Sequence, residues 1–371
     1  MKKLALLVLV ASLVSPAPAQ TPVTIDLLEQ VLSYARGKPD GKVAGELYGL
    51  ALTERASSAR LAGWNAAFHG KRTREALLAL ADASAFLPPP ATDLDGSAPP
   101  ILDAQKQMLA QTIDYVTKTI SKLPNFTATR ETAHFDDAPP RQLTSATGMG
   151  TTYRQPSPDS AFAPLRFAGS SSIAVTYRDG QEVDEETEKG KHADPIAFGF
   201  TTRGEFGPIL SVILHDALGA GVEWGYWERG ASGKVAVFRY RVPQDRSHYE
   251  ISMAFQGRIV HLFPAYHGEI AIDPTTGVIL RLMAMADMKP PYWRVAAGIR
   301  VEYASVVIGG SSYFCPVHGV ALFKEPRPGS YSSDAEMAYA PVRTEVNDVS
   351  FTHYHLFRAE MRILTNDAAK P

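Results

Sequence analysis

The chain has 371 residues, 45% of them hydrophobic and 20% charged, with a formal net charge of −2 at pH 7. At about 150 residues per domain this is room for two or three domains, and 16 Phe, 15 Tyr and 4 Trp exclude a chain disordered throughout. One cysteine excludes a disulfide framework and a cysteine-rich zinc or iron–sulfur centre, and near-neutrality excludes the basic excess of a duplex-binding surface.

The first element is a leader. Lys2 and Lys3 precede an apolar run from Leu4 to Val14, and Ala17-Pro18-Ala19 supplies a small-x-small cleavage site. The run falls short of the roughly 20 apolar residues that span a bilayer. Cleavage after Ala19 takes both lysines and leaves a mature net charge of −4. The expected location is therefore periplasmic or secreted, with residues 1–19 as signal peptide and no later run of membrane length.

Residues 20–87 read as a helical packet. Ile25, Leu28, Val31 and Leu32, then Leu47, Leu50 and Ala51, then Leu61, Trp64 and Phe68, and last Leu77, Leu78, Leu80 and Ala81 keep helical spacing. Gly37 to Gly41 and Gly70 break this run into three predicted helices. Residues 88–100, with Pro88, Pro89, Pro90, Pro99 and Pro100, form a predicted linker. Residues 101–371 form the second domain, led by a helix over 102–120 whose stripe is Met108, Leu109, Thr112, Ile113, Val116 and Ile120.

From Phe126 the period becomes two. Strands are predicted over 126–135, 173–178, 222–228, 234–242, 249–255, 270–273, 278–287, 299–308, 313–324 and 343–364, joined by turn signals such as Asp179-Gly180 and Gly309-Gly310. Hairpins without helical crossovers imply an antiparallel meander. The exception is a helix over 205–218, where Phe206, Ile209, Leu210, Ile213 and Leu214 share a stripe that should lie on the sheet. The predicted class is α+β: a helical packet followed by a large curled antiparallel half-barrel crossed by one amphipathic helix.

The leader, the long meander, the crossing helix and the turn Asp273-Pro274-Thr275-Thr276-Gly277 before Val278-Ile279-Leu280-Arg281 resemble the periplasmic lipoprotein-carrier superfamily, over roughly residues 123–364. The resemblance implies an unclosed β-barrel that holds acyl chains in its concave face, with Arg281 at the one matched basic position. The packet has no counterpart in the minimal carriers; it is similar to parts of other secreted bacterial proteins.

Candidate chemistry is sparse. His353 and His355, two apart in a strand, have workable metal-ligand spacing, with Asp348 before them and His318 on another strand; a pair packed in the core or lining the mouth is the simpler reading. Cys315 and His318 face opposite ways in a strand, so a thiol–imidazole dyad is disfavoured. His215-Asp216 could orient one another, yet no Gly-x-Ser-x-Gly, Ser-x-x-Lys or His-Glu-x-x-His accompanies them. Glu182 to His192 reads as a charged, solvated hairpin, and Trp224 and Tyr226 as a pair on one strand face with Trp227 on the other. The expectation is a non-catalytic binding protein without cofactor or metal. An apolar ligand would lie on Phe238, Tyr240, Tyr249, Ile251, Met253, Phe255, Leu280 and Leu282 beneath Ile213, with Arg281 and Arg239 at its headgroup. The alternative is a structural or assembly protein of the envelope whose concave face its own helices fill; a hydrolase ranks last.

Overall fold

The computed structural model describes residues 20–119, 123–137, 142–143, 153–154, 164–184, 208–231, 233–255, 258–327 and 333–357. The expected leader lies outside them, as do Ile120, Phe206 and the charged stretch after Asp184.

The packet has four helices where three were expected: α1 (Ile25–Ala35), α2 (Asp40–Tyr48), α3 (Ser58–Ala67) and α4 (Lys71–Ala83). Thr24 and Ser57 cap α1 and α3 by accepting from the amides of Leu27 and Arg60. The extra break comes from a short strand, β2 (Leu50–Leu52), which leaves the helical path to pair in parallel with β1 (Thr21–Val23). Asp40 holds two helices together, accepting from the amides of Arg72 and Thr73 at the start of α4. Ile25, Leu28, Leu47, Trp64 and Leu77 fill the packet's own core.

The proline-rich stretch is docked. After a 3-10 turn at Ala91–Asp93 it runs beside strand β8 (Val222–Gly230): the Asp95 amide donates to the Trp227 carbonyl, and the Trp227 indole donates to the Ala98 carbonyl. A sheet edge that would otherwise be open is thereby covered. Helix α5 (Leu102–Thr119) follows.

The sheet strands are β3 (Phe126–Asp136), β6 (Arg166–Arg178), β7 (Gln181–Asp184), β8, β9 (Gly233–Val242), β12 (Ala265–Ile272), β13 (Ile279–Asp287), β14 (Ala296–Ile308), β15 (Ser311–Pro326) and β16 (Val342–Leu356). Their order is β7-β6-β3-β16-β15-β14-β13-β12-β9-β8, every pair antiparallel. The sheet is open between β7 and β8. Two short ladders stand apart: β4 (Gln142–Leu143) with β5 (Tyr153–Arg154), and β10 (Ile251–Phe255) with β11 (Arg258–Leu262). Helix α6 (Pro208–Ala220) crosses one face, and a short α7 (Asp334–Met337) precedes β16. We call the face under α6 the inner face and the face against the packet the outer face.

Two register details correct the sequence reading. The stretch 249–255 does not continue the main sheet. β9 pairs with β12, and the intervening chain folds out as the β10–β11 hairpin. In β8 a bulge at Gly225 resets the alternation, so Trp224 and Trp227 meet edge to face on the inner side, ring centres 4.8 Å apart, while Tyr226 turns outward.

The Asp273–Gly277 turn is explained by its neighbour. Asp273 accepts from the amides of Thr275 and Thr276, and Gly277 sits at φ +72° against α5. A Cβ there would lie 2.6 Å from the Gln111 carbonyl carbon, so only glycine lets the turn dock on the helix backbone.

Candidate functional site

The inner face carries the expected ligand surface, and much of it is already covered. Ile213, Leu210, Leu214 and Ala217 of α6 pack into one core with Phe238, Tyr240, Tyr266, Ile270, Leu282 and Ile299, and Met108 of α5 joins them. Tyr249 packs on the border of this core. The other expected residues separate. Ile251 joins Ala286 and Ala297 in a different cluster, Met253 is buried in the β10–β11 hairpin, and the Phe255 side chain lies outside the described part. Leu280 is half-buried where a register shift between Ala271 and Ile272 brings Ile279, not Leu280, into the core. Arg281 is on the outer face, as is Arg239, which lies over the Tyr226 ring. The contiguous surface inferred from strands pairing in sequence order is thus reduced to Ile213, Phe238, Tyr240, Tyr249 and Leu282.

The fastenings of α6 are uneven. Among the described residues its side-chain polar contacts lie at the C-terminal end: Asp216 accepts from the His248 amide (2.8 Å), His248 Nδ1 (2.6 Å) and the Tyr266 hydroxyl (2.9 Å), and the Gly219 carbonyl accepts from Arg246 (2.6 Å). His215 therefore does not orient Asp216; its ring packs edge-on against His248. Toward the N-terminal end Leu210, Ile213 and Leu214 hold the helix by burial, worth about 1.5–3 kcal/mol per side chain.

The outer face holds a second assembly that the sequence reading missed. A row of charged side chains runs across the strands and is roofed by the packet. Arg281 makes a two-pronged pair with Glu228 (2.9 and 2.7 Å), and Arg55, in the chain between β2 and α3, reaches the same Glu228 at 2.8 Å and Glu269 at 3.6 Å. The Tyr226 hydroxyl donates to Glu269 at 2.7 Å. Farther along, Arg300 bonds Glu302 (2.5 Å), the Ser58 hydroxyl donates to Glu302 (2.7 Å), and His318 Nε2 meets Asp348 at 2.5 Å. His318 Nδ1 stands 3.8 Å from Glu302, and Asp82 of α4 completes the group.

Burial and pairing compete at each member. Burial would raise the Glu228 carboxyl, but Arg281 and Arg55 outweigh it and hold it below the usual range. Burial likewise opposes the Glu302 charge, and His318, Arg300 and Ser58 overcome it. Desolvation pushes Arg300 down to about 10 despite Glu302. For His318 burial favours the neutral ring, yet Asp348 and Glu302 raise it to about 10. Asp82 goes the other way: burial, aided by Asp348, raises it well above the ordinary carboxyl. A cavity of about 10 Å³, the room of one water, lies among Asp82, Arg300, His318, Ser57 and Ser58.

The remaining candidates disperse. His353 and His355 are exposed, with His353 at φ +52° in a bulge, so they form neither a core pair nor a set with His318 and Asp348. Cys315 is buried on the inner face, its thiol pushed up to about 12 by burial. On the hairpin Ser252, Glu250 and His261 touch, but Ser252 and Glu250 share the single ring nitrogen Nδ1, which no Ser-His-acid relay does.

Alternation along the strands already put Glu269, Arg281, Arg300, Glu302, His318 and Asp348 opposite the apolar residues. What alternation does not reveal is that the packet buries them. No helix among the described residues is long and apolar enough to cross a membrane. Compared with protein-family models, curated proteins and solved structures, the chain matches none.

Proposed function

We propose that the chain is a non-catalytic binding protein that takes a lipid-like, apolar ligand on the inner face of its open sheet, with α6 as the displaceable cover. The observation that carries this reading is the uneven fastening of α6, polar at Asp216 and Gly219 and apolar from Leu210 to Leu214. A swing about the C-terminal end uncovers Phe238, Tyr240, Ile270 and Leu282 without breaking the Asp216 contacts. Lifting three aliphatic side chains costs about 1.5–3 kcal/mol each, and an acyl chain returns about 0.8 kcal/mol per buried methylene, so about 6–11 methylenes offset the opening. Periplasmic or secreted residence, expected from residues 1–19, and the carrier-like turn at Asp273–Gly277 agree with this role.

The test is direct. Purified protein should yield a fatty acid or phospholipid on organic extraction and mass spectrometry, and should bind a fluorescent fatty acid saturably. The second reading, an envelope structural protein, is favoured by the depth to which α5 and α6 already fill the inner face. It predicts no extractable lipid and no saturable binding, and that result would replace the carrier reading.

A further inference from the structure

The charged row on the outer face divides unequally. Near β8 to β13, Arg55 and Arg281 balance Glu228 and Glu269, with the half-exposed Arg239 on the border. Near β14 to β16, the three carboxylates Asp82, Glu302 and Asp348 face one guanidinium, Arg300. There the three carboxyl groups outnumber the one guanidinium and gather around the His318 ring.

Asp82 is 2% exposed, and its Oδ2 has no hydrogen-bond partner. It lines the small cavity together with His318, and a carboxylate oxygen of Asp82, a ring nitrogen of His318 and a carboxylate oxygen of Asp348 all fall within 4.8 Å of one another. We propose that Asp82, His318 and Asp348 form a binding site for a divalent first-row transition-metal cation, of the zinc class, which clasps the packet to the sheet.

Four observations fit this donor set. One imidazole with carboxylates is borderline-hard, which suits Zn²⁺, Fe²⁺ or Mn²⁺ better than Cu⁺ or Ca²⁺. Ligand atoms about 2.0–2.2 Å from a metal sit a little over 3 Å apart, so the His318–Asp348 contact opens by under about 1 Å to admit it. Behind the imidazole, Glu302 faces Nδ1 and is itself fixed by Arg300 and the Ser58 hydroxyl, the outer carboxylate that commonly orients a metal-bound histidine. Ser58 is solvent-exposed and lies against Glu302, which gives a way in from solvent, and the cavity offers a fourth position to water. The trio His215, Asp216 and His248, on the inner face, is a poorer candidate, because both Asp216 oxygens already accept hydrogen bonds.

The test uses the full folded chain, stripped with chelator and titrated calorimetrically with Zn²⁺. One Zn²⁺ per chain is expected, with a rise in Tm. The variants His318→Gln and Asp82→Asn, checked for native circular dichroism, should bind at least about tenfold more weakly, and His248→Gln should bind as the parent does. Absence of zinc uptake by the parent, or uptake undiminished in His318→Gln, overturns the proposal. Should the variants fail to fold, X-ray absorption of the zinc-loaded parent decides: one imidazole among oxygen ligands supports the site, and two or more imidazoles overturn it by placing zinc elsewhere.

Discussion

The two faces of one sheet are buried by opposite chemistry. On the inner face α6 and α5 meet the strands through aliphatic and aromatic side chains, and the polar knot at Asp216 has its oxygens bonded. On the outer face the packet meets the strands through a central row of arginines, carboxylates and His318, flanked by an apolar border where Leu78, Ala79 and Phe86 touch Phe135, Val320, Leu322 and Val346. An apolar contact is non-directional and can re-form around a different apolar partner; a paired ionic contact is position-specific and costly to leave half made. Under the proposed function the inner cover exchanges for a ligand, whereas paired ionic contacts hold the outer cover in place.

Substitutions can break this contrast. The largest effect is expected at Ile213, fully buried in the inner core: Ile213→Asp strands a carboxylate there and should cost more than about 4 kcal/mol in urea unfolding. A near-neutral outcome would remove the helix-over-sheet packing. On the outer face Arg281→Met leaves Glu228 with Arg55 alone and should cost about 3–5 kcal/mol, part of which returns when Glu228→Gln is added. Additive losses in that pair would mean that the two side chains do not share an ion pair. Next comes Asp216→Asn, expected to cost about 1–3 kcal/mol by weakening its contacts to His248 and Tyr266.

Acidity sharpens the same contrast. Glu325, at the end of β15, is raised to about 7 by burial and by Glu345, against the pull of Arg343. Its folded state holds the proton more tightly than the unfolded chain, so its contribution to stability is present below about pH 4.5 and is lost as pH rises to about 7. Glu228, with a lowered value, does the reverse: its contribution is present above the ordinary carboxyl range and is lost as pH falls through its folded value. Thermal melts of the parent and of Glu325→Gln across pH 4.5–7 should converge at the acid end and separate with the variant higher at neutral pH. The smallest effect is at Cys315, whose buried thiol, pushed up to about 12, should react with a disulfide reagent at pH 8 far more slowly than in the unfolded chain.

The fold was largely legible in the sequence, because period-two alternation from Phe126 and helical spacing around Ile213 reflect burial on one side of each element. Pairing was less so. The β10–β11 hairpin was missed because Arg258–Leu262 is only five residues long, and the Gly225 bulge exchanged the faces of Tyr226 and Trp227. Of the inner surface, Phe238, Tyr240 and Leu282 follow from alternation and Ile213 from helical spacing. The burial of the outer row is not legible, since alternation assigns a residue to a face without saying what lies on that face. Asp82 and Arg55 come from over 170 residues away in the sequence from their partners on β8 and β15, and no local pattern links them.

The central claim is that α6 is an exchangeable cover while the packet is fixed. Native-state amide hydrogen exchange of the full chain, with and without oleate, tests it most directly. The account predicts that amides of 208–220 exchange by local opening well before those of α4, and that oleate alters protection in 208–220 while leaving 71–83 unchanged. Equal protection of both helices, with neither responding to oleate, would contradict it.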